Sequence, residues 1–97
     1  MNVIEKFQEL EDNYPNNLKF KDIPNKMTQR EDLHVFLLLD RLLPSDFEIV
    51  GGADHDIIYL GVDVEALEKV ATDRDIEELY ACGVFYSKEY DCLCIFV

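Results

Sequence analysis

A leucine-rich segment between Thr28 and Pro44 constrains the fold more than any other stretch of the chain. Thr28 precedes Glu31 by three residues, the spacing of a capping box, in which each side chain accepts a hydrogen bond from a backbone N–H group of the other residue. Pro44 ends the predicted helix. Its apolar residues leave little polar face: Leu33, Val35, Phe36, Leu37, Leu38, Leu39, Leu42 and Leu43. Because a helix that is apolar almost all round is buried, we expect it to be the central core element, with His34 as a core or boundary residue.

An amphipathic helix is predicted at the start of the chain, ending at Pro15. Its apolar positions recur at three- and four-residue spacing: Val3, Phe7, Leu10 and Tyr14. The segment LKFKDI at 18–23 then alternates apolar residues with lysines and is followed by Pro24. Such alternation, with lysines on the wet side, is typical of a short edge strand.

Beyond Pro44 the hydrophobic period shortens to two, which indicates strands. FEIV (47–50) and DIIYL (56–60) predict a hairpin whose long loop contains GGADH (51–55). VFY (84–86) and CLCIFV (92–97) predict a second hairpin around SKEYD. The last of these runs is apolar, so we expect it to be an inner strand.

Two short helices are predicted between the hairpins. Residues 64–71 follow Asp63, a good N-cap residue, with Val64, Leu67, Val70 and Ala71 on one side. The next helix begins at Thr72 with Asp75 three residues on, an approximate capping box. Ile76, Leu79 and Tyr80 face inward in this helix, and Gly83 ends it in a left-handed conformation.

The order of these elements predicts an α+β fold. Strands occur as hairpins rather than alternating with helices, which favours an antiparallel sheet with about four helices packed mainly on one face. The segment at 18–23 would add an edge strand to the sheet. Residues 1–97 are expected to form a single domain with one core.

Charge is distributed unevenly along the chain. The 97 residues carry 21 acidic and 9 basic residues, a formal net charge of −12. Residues 1–45 contain eight acidic and six basic residues, whereas residues 46–97 contain thirteen acidic and three basic residues. This asymmetry predicts an acidic half-surface. It excludes nucleic acid as a direct ligand and disfavours anionic membranes, since both are bound through Lys and Arg.

The compartment is expected to be the cytoplasm. No apolar run approaches the ~18–20 residues of a membrane span, and the N-terminus lacks the ordered regions of a signal peptide. Cys82, Cys92 and Cys94 are then expected to be reduced thiols acting as small buried hydrophobes. The C-x-C spacing lacks the pattern of a zinc site, so we expect no metal and no other cofactor.

Catalytic signatures are missing from the sequence, and we expect no enzyme. His55 with Asp56 would supply donors for a metal or an acid–base pair, but a solvated turn is the simpler interpretation. The acidic run from Asp73 to Glu78 lacks the glycine and the final glutamate of a calcium loop. Gly51 and Gly52 match no phosphate-binding motif.

The acidic half of the chain predicts a binding surface for a basic partner, most simply a nucleic-acid-binding protein or complex. Carboxylates spaced a few Å apart on a rigid protein would occupy a groove lined by Lys and Arg. The candidate partner-binding residues are Asp54, Asp56, Asp63, Glu65, Glu68, Asp73, Asp75, Glu77 and Glu78. Tyr59, Tyr86 and Tyr90 would add rigid contact area. The alternative is that the charge serves solubility alone.

A small, acidic, single-domain chain with the stretches ADHD (53–56) and TDRDIEE (72–78) resembles the DNA-mimicking inhibitors carried by phages and prophages. In length and acidity it is most similar to anti-CRISPR proteins that act on the type I-F surveillance complex. The resemblance implies a non-enzymatic inhibitor in the host bacterial cytoplasm, acting as a monomer. It would block the crRNA-guided complex where target DNA enters.

Two other hypotheses remain open. An immunity protein or antitoxin covering the basic active site of a nuclease predicts the same acidic patch and the same compartment. A metal-dependent enzyme using His55 and Asp56 predicts tight binding of a divalent metal.

Overall fold

Two hairpins form a four-stranded antiparallel sheet, with strand order β1-β2-β4-β3. The strands are β1 (Val50–Asp54), β2 (Ile57–Leu60), β3 (Val84–Ser87) and β4 (Cys92–Phe96). The structure is a computed structural model that describes residues 2–14, 16–24, 26, 28–44 and 48–96. The predictions made for Pro15, Phe47 and Val97 lie outside these residues. The prediction that the last strand is an inner strand is confirmed, since β4 pairs with both β2 and β3.

Four α-helices accompany the sheet within the described ranges. They are α1 (Val3–Asp12), α2 (Glu31–Leu42), α3 (Val64–Val70) and α4 (Asp73–Ala81). The α+β fold class is therefore confirmed. None of these helices is long and apolar enough to cross a membrane.

The hydrophobic core lies between the helices and one face of the sheet. Ile58, Ile95 and Val84 stand opposite one another across β2, β4 and β3; Ile95 and Val84 belong to the core cluster, and Ile58 packs against it. Side chains alternate along a strand, so the intervening residues point to the opposite face of the sheet. Tyr59, Phe85 and Phe96 lie on this opposite face, and none of them belongs to the core cluster.

Helix α1 confirms the N-terminal prediction except at its end. Val3, Phe7 and Leu10 are buried, and Asn2 caps the helix by accepting a hydrogen bond from the Glu5 N–H group at 3.0 Å. Tyr14, predicted on the same apolar face, is instead 70% exposed. The helix ends at Asp12, so the helical period no longer directs Tyr14 toward the core.

The edge strand predicted at 18–23 is wrong. A short 3-10 helix occupies Phe20–Asp22, and Ile23 after it is buried. The Asp22 N–H group donates to the Lys19 carbonyl oxygen at 2.9 Å, and the Ile23 N–H group donates to that of Phe20 at 3.1 Å. The backbone satisfies these hydrogen bonds locally, so nothing draws the segment into the sheet.

Helix α2 departs from two predictions. Its N-cap is Arg30, with no side-chain capping bond, while the Thr28 hydroxyl accepts from the Arg30 N–H group at 3.2 Å. The helix starts two residues later than the sequence suggests, so the predicted Thr28–Glu31 capping box does not form. Burial is also less complete than predicted: His34, Val35, Leu38 and Leu39 are buried, Phe36, Leu42 and Leu43 pack half-buried against the core, and Leu33 is exposed. The expectation for His34 is confirmed.

The first hairpin forms with a turn different from the predicted one. Gly51 and Gly52 lie within β1, and the connection is the two-residue turn His55–Asp56, with His55 at φ +50°. Gly51 is needed instead for the close approach of its backbone to that of Gly61. A Cβ atom on Gly51 would lie 3.1 Å from the Gly61 Cα, and one on Gly61 would lie 2.5 Å from the Glu48 carbonyl oxygen.

The capping residues of α3 and α4 are confirmed. The Asp63 carboxylate accepts from the Glu65 N–H group at 2.9 Å. Thr72 and Asp75 form a reciprocal capping box, and Gly83 adopts φ +100° after α4. In α3, Leu67 is buried as predicted, but Val70 is exposed.

We predict that Thr72→Ala destabilises the protein by about 1 kcal/mol, because it removes the side-chain acceptor for the first turn of α4. Chemical denaturation followed by circular dichroism measures the change. Thr28→Ala is the matched control, since Thr28 caps no helix, and it is expected to cost less than about 0.5 kcal/mol. Equal losses from the two substitutions would contradict the assignment of the caps.

Candidate functional site

The nine candidate carboxylates occupy three parts of the structure: the β1–β2 turn, α3 and α4. Asp54 and Asp56 flank His55 in the turn, where all three residues are exposed. The His55 Nε2 atom lies 3.6 Å from the Asp54 carboxylate, too long for a hydrogen bond. Within the described part of the chain, no three His, Cys, Asp or Glu residues are grouped so that they could hold a metal ion.

Two of the three acidic residues at α3 stabilise the fold. Asp63 caps the helix, as described above. Glu68 is half-buried, and its Oε1 atom accepts a hydrogen bond from the Val3 N–H group at 2.9 Å, which joins α3 to the first turn of α1. Glu65 is exposed in the first turn of α3, where a carboxylate interacts favourably with the helix dipole.

Asp75 in α4 also has a structural role. One oxygen accepts from the Thr72 N–H group at 2.9 Å, and the other lies 3.5 Å from Arg41 Nη2 of α2. Its side chain is largely shielded from water, while Asp73 beside it is exposed.

Glu78 makes the most buried polar contact among these carboxylates. Its Oε1 atom lies 3.2 Å from Nε2 of His34, a residue only 2% exposed, and its Oε2 atom lies 3.8 Å from Arg74 Nε. The edge of the imidazole ring also packs against Phe20, with ring centroids 5.9 Å apart. The other imidazole nitrogen, Nδ1, is buried with no hydrogen-bond partner among the described residues. The Glu78 contact is therefore the polar interaction that compensates the burial of this ring.

The structure thus divides the candidate residues into two groups. Four are engaged in holding the fold together: Asp63, Glu68, Asp75 and Glu78. Four others are exposed, and we refer to them as the outward carboxylates: Asp54, Asp56, Glu65 and Asp73. Glu77 is half-buried on α4. Within the described ranges, no hydrogen bond or ion pair joins the turn carboxylates to residues of α3 or α4.

Two of the three described thiols, those of Cys82 and Cys94, are buried and have the character of structural residues. Burial raises the pKa of Cys82 to about 12, with the carboxylates of Glu31 and Glu78 adding to the effect. Burial and a hydrogen bond with Cys92 also raise the pKa of Cys94 to about 12. Since the thiolate is the nucleophile, both groups are inert at neutral pH.

Contacts between distant segments were not visible in the sequence. His34 and Glu78 are 44 residues apart, and no local pattern links them. The tyrosines illustrate the same difficulty. Tyr59 and Tyr90 pair with ring centroids 4.9 Å apart, and the hydrogen bond between them with partial burial raises the pKa of Tyr59 to about 12. Tyr86, predicted to add contact area, instead packs against the core and donates a hydrogen bond to Asp91.

We predict that Glu78→Ala destabilises the protein by about 1–3 kcal/mol, because it leaves the buried His34 ring without its polar partner. Glu77→Ala is the matched control: it makes the same chemical change at the neighbouring position of α4, where the carboxylate makes no described ion pair. Urea denaturation of both variants measures the difference in free energy of unfolding. A cost for Glu77→Ala equal to that for Glu78→Ala would contradict the structural role of Glu78.

Comparison with known protein families, with curated proteins and with solved structures finds no match for this chain. The geometry of the carboxylates and of the surfaces around them therefore carries the functional argument.

Proposed function

We propose that this protein is a non-enzymatic inhibitor that uses its outward carboxylates to occupy the basic nucleic-acid-binding site of another protein. The observation that carries the proposal is the exposure of Asp54, Asp56, Glu65 and Asp73 in a chain of net charge −12. The described ion pairs of Lys6, Arg41 and Arg74 go to other carboxylates. Among the outward carboxylates, Asp54 lies 3.6 Å from the Nε2 atom of the exposed His55, and within the described residues Asp56, Glu65 and Asp73 take part in no ion pair. These carboxylates can therefore pair with cations of another protein.

Rigid placement of these charges supports the proposal. Glu65 and Asp73 lie in the first turns of helices that are capped by Asp63 and by Thr72 with Asp75. Asp54 and Asp56 are held at a two-residue turn between paired strands. A basic groove that accepts the closely spaced phosphates of nucleic acid can accept carboxylates fixed in this manner, since little conformational freedom is lost on binding.

The partner we propose is a crRNA-guided surveillance complex of type I-F, on the resemblance in length and acidity to its inhibitors. Blocking would be steric and electrostatic, with no covalent chemistry and no cofactor. A nuclease neutralised by an immunity protein offers the same kind of basic surface, so the experiments below include both partners.

We predict that reversing the outward carboxylates (Asp54→Lys, Asp56→Lys, Glu65→Lys, Asp73→Lys) abolishes inhibition while leaving the protein folded. The measurement is binding of labelled target duplex to the type I-F complex with increasing inhibitor. The matched control reverses four exposed carboxylates elsewhere, Glu5, Glu9, Asp12 and Asp40, and so reaches the same net charge. We expect it to retain most of the inhibition. Equal loss in both variants would contradict a localised surface.

We also predict that inhibition weakens steeply as salt is raised from about 50 to 300 mM, because ion pairs at an exposed interface are screened. Isothermal titration at a series of salt concentrations gives the slope. Binding insensitive to salt would exclude an electrostatic mechanism. Failure to inhibit the surveillance complex, with inhibition of a co-encoded nuclease, would assign the protein to the immunity class.

A further inference from the structure

The face of the sheet opposite the core carries a row of apolar side chains that lie outside the core cluster. Register places Tyr59, Cys94 and Phe85 side by side across β2, β4 and β3, with Ile57 and Phe96 paired in the next row. None of these five residues belongs to the hydrophobic core cluster. An antiparallel sheet commonly presents a polar face to water on this side, so an apolar row here calls for an explanation.

Four aromatic rings form the surface of this face. Phe85 and Phe96 stack with centroids 4.7 Å apart and an angle of 22° between the rings, and Tyr59 packs against Tyr90 at 4.9 Å. We refer to Tyr59, Phe85, Tyr90 and Phe96 as the aromatic sheet face. Cys94 stands in the row between Tyr59 and Phe85 and is 0% exposed, whereas Phe96 is 60% and Tyr90 49% exposed. The rings therefore shield the strand beneath them and present their own surfaces to water.

Carboxylates border the aromatic sheet face at both ends of the strands. Asp54 and Asp56 lie at the β1–β2 turn, and Glu89 and Asp91 lie at the β3–β4 turn. All four residues are exposed, and one oxygen of Asp91 accepts the hydrogen bond from Tyr86 while its other oxygen has no described partner. Asp54 is close enough to Tyr59 to contribute to the raised pKa of its hydroxyl. We refer to these four residues as the acidic rim. The β3–β4 turn also contains one basic residue, Lys88.

The exposed rings and the acidic rim together restrict which molecules can bind to this face, because a binding partner must contact aromatic rings and tolerate nearby carboxylates. A second copy of the chain would bring two acidic rims together on molecules that each carry a net charge of −12. An anionic membrane surface is repelled in the same way. An arginine side chain fits both features, because its guanidinium group stacks on aromatic rings while pairing with carboxylates.

We infer that the aromatic sheet face and its acidic rim form a docking surface for arginine side chains of a basic partner protein. The inference rests on the proposed function, which supplies a basic partner, and adds that arginines anchor on the rings of β2, β4 and the β3–β4 hairpin. Arginine is favoured over lysine, since a compact ammonium group is more strongly hydrated and does not stack as a plane.

The test uses fluorescein-labelled octa-arginine and octa-lysine peptides as probes, with anisotropy measured at low salt. We expect wild-type protein to bind octa-arginine more tightly than octa-lysine, although the peptides carry equal charge. The variant Tyr90→Leu/Phe96→Leu keeps apolar side chains but removes two exposed rings. Its affinity for octa-arginine is expected to fall about two- to fivefold for each ring and to approach that for octa-lysine.

The matched control is Tyr90→Phe/Phe96→Tyr, which keeps both rings and is expected to retain the preference for octa-arginine. Circular dichroism establishes that the variants are folded. Should the leucine variant not fold, titration of wild-type protein with octa-arginine provides a second measurement by NMR. We expect the largest shifts at the ring protons of Tyr59, Tyr90 and Phe96, and shifts confined to α3 and α4 would overturn the inference.

Equal binding of the two peptides, or unchanged octa-arginine binding by the leucine variant, would also overturn the inference. Sedimentation equilibrium tests whether a second copy of the chain covers the aromatic sheet face. A wild-type dimer that the leucine substitutions dissociate would show that it does, and would overturn the inference.

Failure of the inference and of the proposed function can be told apart. If Glu65→Lys/Asp73→Lys relieves inhibition of the surveillance complex and the leucine variant inhibits normally, the proposed function stands and the arginine-docking inference fails. If the leucine variant loses its preference for octa-arginine but wild-type protein inhibits no nucleic-acid-binding partner, the inference stands and the proposed function fails.

Discussion

The hydrogen bond between His34 and Glu78 is the contact on which the arrangement of α2 and α4 depends. An imidazole ring that is almost completely buried loses its hydration, and one polar partner compensates for this loss. The same helix pair is joined a second time, at Asp75 and Arg41. Both contacts use carboxylates of α4, so acidic residues join α2 to α4 beside the buried Val35, Leu38 and Leu39.

This arrangement changes the interpretation of the acidic half of the chain. Acidic residues that looked equivalent in the sequence serve opposite purposes in three dimensions: Asp75 and Glu78 face other parts of the protein, whereas Asp73 faces water. A compact chain with net charge −12 repels itself, and the inward carboxylates reduce this repulsion by pairing with Arg41 and Arg74. What remains outside is a smaller set of charges with defined positions.

Capping and periodicity patterns, which involve residues close in sequence, predict much of the fold. They fail where contacts between distant segments determine the structure. Thr72 and Asp75 cap α4 as expected, because the capping box involves only neighbouring residues. The same spacing predicts a cap at Thr28 that does not form, since spacing alone does not determine which residue begins the helix. The alternation at 18–23 fits a strand in isolation, but six residues can also satisfy their hydrogen bonds in a tight turn.

The candidate site shows the same limit more strongly. Composition identifies the acidic half of the chain, but only the packing of α2 against α4 shows that the Glu78 carboxylate is hydrogen-bonded to His34. The sequence predicts a turn at Gly51 and Gly52, because nothing near Gly51 in sequence shows that Gly61 approaches its backbone. The aromatic sheet face likewise depends on strand register, which brings Tyr59 and Phe85 to either side of Cys94.

The position of Cys94 beneath the aromatic rings has a chemical consequence. A surface that carries thiols near its centre would ordinarily be altered by oxidants or electrophiles, and its affinity for a partner would vary with the surrounding redox conditions. Here the thiol is covered and its pKa is about 12, so almost no thiolate is present at neutral pH. The Cys94 thiol beneath the aromatic sheet face is therefore protected from oxidants and electrophiles, whereas Cys92 on the same face of β4 is only half-buried.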